Sequence, residues 1–148
     1  MTNTELVERY PFLALKNVWT GAIIDGYDPE IDGTYLDNMP DGWRIAFGEQ
    51  MCEEIREALL KVNYLDKYFI TQIKEKYGSL HWYDTGATKE VYKTIAKYEE
   101  LSKHTCCVCG KPATKITRSW ICPYCDDCYA KYESNQKYWD IDYYYPEN

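Results

Sequence analysis

Apolar residues between positions 43 and 63 recur at spacings of three and four. Ile45, Gly48, Cys52, Ile55, Leu59 and Val62 fall on one stripe, with Glu53, Glu54, Arg56 and Glu57 opposite. That period predicts an amphipathic helix over 43–63, capped by Asp41, with its stripe turned into a core. The period then changes. Over 68–76 Phe69, Thr71 and Ile73 alternate with Ile70, Gln72 and Lys74, which predicts a strand; Gly78 and Ser79 mark a turn, and 80–83 returns as the second strand of a hairpin. Helical spacing resumes over 88–103, with Thr88 as cap and Val91, Ile95, Tyr98 and Leu101 on one face.

The flanks are less regular. Residues 4–16 offer an apolar side of Leu6, Tyr10, Leu13 and Ala14, in a helix that Pro11 starts, kinks or breaks. Residues 17–41 are rich in glycine, proline and aspartate, which favours an irregular loop. It either lines a binding surface or is a connector pinned by Trp19, Ile23, Ile24 and Tyr27. Near the C-terminus, 115–118 and 119–121 are expected to form a small ribbon, followed by a tail rich in aromatic and acidic residues. Tyr138, Trp139, Tyr143, Tyr144 and Tyr145 in that tail are expected to fold back on the body, because so large an exposed aromatic run is a liability. A two-stranded hairpin must lay one face on helices to be stable. The expectation is therefore an α+β fold: residues 1–104 as helices on a hairpin, and 105–148 as a ribbon and tail packed on it.

Composition permits such a core. The chain has 148 residues, 45% of them hydrophobic, with sixteen tyrosines and five tryptophans, so tyrosine must do much of the packing. The formal net charge of −7 repels nucleic acid, and no dense basic stripe offsets it. The first residues carry neither a secretory signal nor an apolar span, so a cytoplasmic protein with reduced thiols and no membrane contact is expected.

The seven cysteines carry the sharpest chemical signal. Cys106 with Cys109, and Cys125 with Cys128, form two CxxC turns separated by fifteen residues. Each such turn places two thiolates on one side of an ion, and a short return supplies the opposite pair; this is the spacing of a structural Zn²⁺ site. Four bound thiolates and the ion together add about −2 to the net charge. Cys122 makes a competing CxxC with Cys125, which would shorten the separation to twelve residues; the longer linker and Pro123 favour the first register. Cys107 abuts the first turn, His104 lies just outside it, and Cys52 falls on an apolar helical face as a small buried hydrophobe.

Other motifs are weaker. The run DGYDPEIDG over 25–33 evokes a calcium loop, but Pro29 interrupts it and the twelfth position is Leu36. Neither a Walker sequence nor GxGxxG occurs, no HxE precedes the PYC of 123–125, and with only His81 and His104 available, histidine acid–base chemistry has little material. A closed four-thiolate site leaves no position for an activated water, so no enzyme is expected. On the hairpin, alternation puts His81 and Tyr83 on one face and Trp82 on the other. With Lys74, Lys76 and Arg44 nearby, that face is a candidate surface for stacking a flat, phosphate-bearing ligand.

The order of these words resembles a family of small uncharacterised proteins of tailed phages and prophages. The resemblance rests on ERYP at 8–11, DGW at 41–43 opening a helix with Cys52, IKEKYGSLHWY at 73–83, TCCVCGKP at 105–112, and Trp120 followed by CDDC at 125–128. Ser119 stands where that family commonly has glycine, and Cys122 is an addition to its pattern. The resemblance supports the Cys125–Cys128 register and implies no activity. The leading expectation is a non-catalytic binding protein whose aromatic surface meets a host or phage protein; the resemblance implies host takeover or counter-defence, in the host cytoplasm, as its setting. The alternative is sequestration of a small nucleotide-like signal; a nucleic-acid-binding ribbon comes third because of the charge.

Overall fold

The computed structural model describes residues 1–118 and 120–135. Helix α1 (Asn3–Arg9) opens with a capping box, Thr2 accepting from the Glu5 amide while Glu5 accepts from the Thr2 amide. Pro11 then starts a separate 3-10 turn, Pro11–Leu13, which buries Phe12 and Leu13. The stretch over 17–41 is irregular apart from α2 (Pro29–Asp32), a 3-10 turn at Tyr35–Asn38 and a single bridge between Lys16 and Ile23. Of its expected anchors only Tyr27 is partly buried, its hydroxyl donating to the Gly33 carbonyl at 2.6 Å. Trp19 is 92% exposed, Ile23 and Ile24 are also exposed, and the segment is held instead by Tyr35, Leu36 and Met39 in the core.

The long helix is continuous but not uniform. Helix α3 (Asp41–Trp43) passes through a π-helical turn, Arg44–Gly48, into α4 (Glu49–Lys61). One extra residue in that turn rotates the apolar stripe. Trp43, Phe47, Met51, Cys52, Ile55, Ala58 and Leu59 are buried, whereas Ile45 is 72% exposed and Val62, beyond α4, is exposed too. Pro40, not Asp41, occupies the cap, and it makes no side-chain hydrogen bond.

Strands β1 (Ile70–Lys76) and β2 (Ser79–Asp84) form the antiparallel hairpin. A bulge between Ile70 and Gln72 breaks the strict alternation, so Ile70 and Ile73 share the buried face. Its turn is Tyr77–Gly78, both at positive φ, one residue earlier than expected. Helix α5 (Lys89–Ser102), capped by Thr88, packs on both β2 and α4 and buries Val91, Ile95, Tyr98 and Ser102 while Leu101 stays exposed.

The resulting core takes in residues from Leu6 to Tyr98, and its tyrosines bring their hydroxyls to carboxylates. Tyr10 donates to Glu53, Tyr98 to Glu54 and Tyr68 to Asp84, while the Tyr68 hydroxyl accepts from Trp82 Nε1 at 2.9 Å. These three phenols are thereby satisfied at their polar ends. A second, smaller core gathers Cys106, Cys122, Tyr124, Cys125, Cys128 and Tyr129 around two short paired strands, β3 (Lys115–Ile116) and β4 (Pro123–Tyr124), and helix α6 (Asp126–Asn135). The return strand of this ribbon thus lies beyond 119–121, where it was expected. The aromatic positions from Tyr138 onward lie outside the described residues. The architecture is α+β, with helices on a hairpin and a C-terminal cysteine unit. Among the described residues no helix is long and apolar enough to cross a membrane.

Candidate metal centre and hairpin face

Cys106, Cys109, Cys125 and Cys128 converge, with all four Sγ atoms within 4.8 Å of one another. A Zn–S bond of about 2.3 Å in a tetrahedron requires sulfur–sulfur edges of roughly 3.8 Å. Cys109 and Cys125 Sγ are 3.5 Å apart, so the pocket matches that size. The first turn is closed by Gly110 at φ +85°, whose amide donates to the Cys106 carbonyl, and by the Cys106 amide donating to Lys111. The second turn leads into α6: the Cys128 amide donates to Cys125 Sγ at 3.4 Å, and the Tyr129 amide to the Cys125 carbonyl. Amides directed at sulfur, at the start of a helix, favour thiolates.

Ionisation of the four sulfurs is mutually opposed. Burial works against the Cys106 thiolate, yet backbone amides at Cys109, Cys125 and Val108 bring it down to about 7. Burial, together with the neighbouring sulfurs, pushes Cys128 up, and burial likewise raises Cys125. Four anions cannot crowd this closely without a cation among them, and a cation is what soft sulfur donors at these separations bind. The four cysteines can therefore hold a metal ion. His104 stands apart from them, exposed, with Nε2 3.8 Å from the Glu100 carboxylate. Cys122 is withdrawn from the competing register because it pairs with Cys107 in a disulfide. Cys52 is a fully buried thiol, and burial pushes its pKa up.

The DGW word at 41–43 joins the cysteine unit to the body, a role the sequence reading did not assign. The Gly42 amide donates to the Cys107 carbonyl at 2.9 Å, and Trp43 Nε1 donates to the Thr105 carbonyl at 2.9 Å. A Cβ on Gly42 would run into the Cys106 carbonyl and lie 2.8 Å from the Gly110 nitrogen, so only glycine lets the two backbones approach this closely.

Lys74, Lys76, His81 and Tyr83 come together on the outer face of the hairpin. Lys74 is opposite His81 across the strands, Lys74 Nζ lies 5.8 Å from the Tyr83 ring, and His81 stacks on Tyr83 with centroids 6.0 Å apart. His81 Nε2 is 3.2 Å from Ser79 Oγ and Nδ1 is 3.5 Å from the Tyr83 hydroxyl, so a phenol stands where a triad has its carboxylate. Arg44 does not join them. It ion-pairs with Asp37 from the π-helical turn and lines neither depression on the hairpin face.

Those two depressions flank the face. One is a groove of about 440 Å³ lined by Lys74, Glu75, Lys76, Tyr77, Trp120 and Ile121, where the hairpin turn meets the cysteine unit and a Cβ on Gly78 would lie 2.9 Å from Ile121. The other includes Val18, Trp19, Gln72, Lys74 and Tyr83. Tyr77 is 75% exposed and Trp120 69% exposed. Trp19 was expected from sequence as a connector anchor and Trp120 as part of the resemblance, and neither as part of this face, because both sit in irregular segments whose placement depends on tertiary packing.

Fold and site together define an α+β protein carrying a four-cysteine cluster compatible with a zinc-ribbon-like unit. Comparison with protein-family models, with curated proteins and with solved structures found no match.

Proposed function

We propose that the ion is a structural Zn²⁺ and that the protein is a non-catalytic binding protein of phage type. Its hairpin face would meet an acidic, aromatic-accepting segment of a host or phage protein, in host takeover or counter-defence. The observation that carries this reading is the outer hairpin face itself: Trp19, Tyr83, Tyr77 and Trp120 are exposed along it, with Lys74 and Lys76 between them. Interface centres favour aromatic anchors with flanking cations, and a set of exposed aromatics this size on one face needs an occupant. Tyr77 strengthens the reading. It sits at φ +52° in a two-residue turn position that favours asparagine or aspartate, and it gains little burial there, so a ligand or partner contact supplies the reason for tyrosine.

The same groove supports a second reading, capture of a small nucleotide-like anion between Tyr77 and Trp120 with Lys74 and Lys76 on its phosphate. A polymer fits less well because the whole chain carries −7. The test is binding by the metal-loaded protein, its Trp19→Ala/Trp120→Ala variant and its Lys74→Glu/Lys76→Glu variant. The proposal predicts one host protein retained in near-equimolar amount by the wild type, bound again when purified, and lost by at least tenfold in both variants. A thermal shift with nucleoside phosphates but no retained protein supports the second reading instead. Equal retention by all three proteins contradicts the hairpin face as the recognition surface.

A further inference from the structure

Three cysteines stand outside the four-sulfur cluster, and two of them meet. Cys107 and Cys122 have Cα atoms 6.8 Å apart and are joined by a disulfide, although fifteen positions separate them in sequence. Backbone hydrogen bonds position the two residues alongside that bond. The Cys107 amide donates to the Pro123 carbonyl at 3.0 Å, the Cys107 carbonyl accepts from Gly42, and Thr117 and Cys122 bond through both amides and the Thr117 hydroxyl. Hydrogen bonds on both sides of the pair thus help to bring the two sulfurs together. Cys122 is buried and Cys107 is half-buried, so Cys107 is the member of the pair with surface open to a small reagent.

Position gives the pair its consequence. Cys107 lies in the first metal turn, against the body at Gly42, while Cys122 directly follows Trp120 and Ile121, the wall of the groove at the hairpin turn. A covalent link between them ties that wall to the body. We propose that Cys107 and Cys122 are a reversible thiol-oxidation site, distinct from the metal centre, whose closure fixes the Trp120–Ile121 wall and whose opening releases it. The oxidant is a low-molecular-weight disulfide. The Cys107 sulfur attacks it, forming a mixed disulfide and expelling one small thiol; the Cys122 sulfur then attacks Cys107 and expels the second. Two electrons and two protons pass from the protein thiols to the small disulfide, which becomes two thiols, and an excess of small thiol reverses both steps. Only the effect on recognition rests on the function proposed above; the chemistry and the motion of the wall do not.

The test uses the metal-loaded full chain equilibrated in glutathione buffers from fully reduced to fully oxidised, read by native alkylation with mass spectrometry, metal content and amide hydrogen exchange. Oxidation should remove two alkylation sites, mapped to Cys107 and Cys122, with the metal fully retained. Exchange over residues 117–122 should slow by at least tenfold. The Cys107→Ser/Cys122→Ser variant should keep its metal and show the fast exchange in every buffer. A disulfide that includes Cys106 or Cys109, metal loss on oxidation, both thiols alkylated in all buffers, or equal exchange in the two states would overturn the proposal. Failure of the binding experiment with these results intact would remove the recognition reading and leave the switch standing.

Discussion

The body and the cysteine unit are built by opposite means. In the body, Trp43, Tyr68, Phe12, Met51, Ile55, Leu59, Ile70 and Leu80 are fully buried in one continuous core. In the cysteine unit the strands are two residues long, and the second core is made of three of the potential ligands, one disulfide cysteine and two tyrosines, with Cys109 packed against it. Apolar burial of the first kind sustains a fold, at about 25 cal/mol per Å² removed from water. A core of the second kind is too small to do so, and cross-links have to supply the rest: the Cys107–Cys122 disulfide and, on the function proposed above, metal coordination. The two units meet at Gly42 and Trp43, so the comparison can be broken from either side.

The largest effect is expected from Cys125→Ser. Loss of one ligand should abolish stoichiometric metal binding and withdraw on the order of 10 kcal/mol of metal-coupled folding energy, unfolding the segment from about Thr105 onward. Circular dichroism and metal analysis check this. The helical signal of the body should survive, whereas an unchanged melt with full metal would mean that other sulfurs hold the ion. Next is Gly42→Ala. The added methyl meets backbone on the cysteine unit and not a flexible side chain, so the variant should lose about 1–3 kcal/mol in denaturant titration. The metal should stay bound if the units fold separately, and be bound more weakly if docking is needed.

A loss of similar size, confined to the body, is expected from Ser102→Ala. Ser102 Oγ accepts from the Leu80 amide at 2.8 Å and donates to the Glu99 carbonyl, tying β2 to α5 in a fully buried position. Its removal leaves a buried amide unpaired, at a cost of about 1–3 kcal/mol, and should lower the body transition alone. The smallest effect is electrostatic. Hydrogen bonding by Arg9 holds Glu53 below the ordinary glutamate range. A carboxylate depressed in the folded state stabilises above its unfolded pKa, and that contribution disappears as pH falls through the folded value. Glu53→Gln should therefore lower the body's stability slightly at neutral pH, where the contribution is present, and flatten the acid limb below about pH 5, so that the two proteins converge at the lowest pH.

What could be read from sequence follows the range of the interaction that decides it. The metal ligands were legible because tetrahedral coordination imposes a local spacing, and Cys106, Cys109, Cys125 and Cys128 converge as that spacing requires. Helix α5 and the hairpin were legible from period and caps. Ile45 was misplaced because a π-helical turn adds a residue without a local signature, and the alternation in β1 was misread because the bulge next to Ile70 does the same to a strand. The pairing of Cys107 with Cys122 and the close approach at Gly42 are products of tertiary packing. A doubled cysteine and a glycine before tryptophan were visible, but nothing nearby in sequence said what they touch.

Hydrogen exchange of the native protein before and after removal of its metal with a chelator tests the contrast between the two units most directly. The account predicts that amides of residues 105–135 lose protection while those of α4, α5, β1 and β2 keep it. Simultaneous loss of protection in the body, or unchanged protection over 105–135, would contradict it.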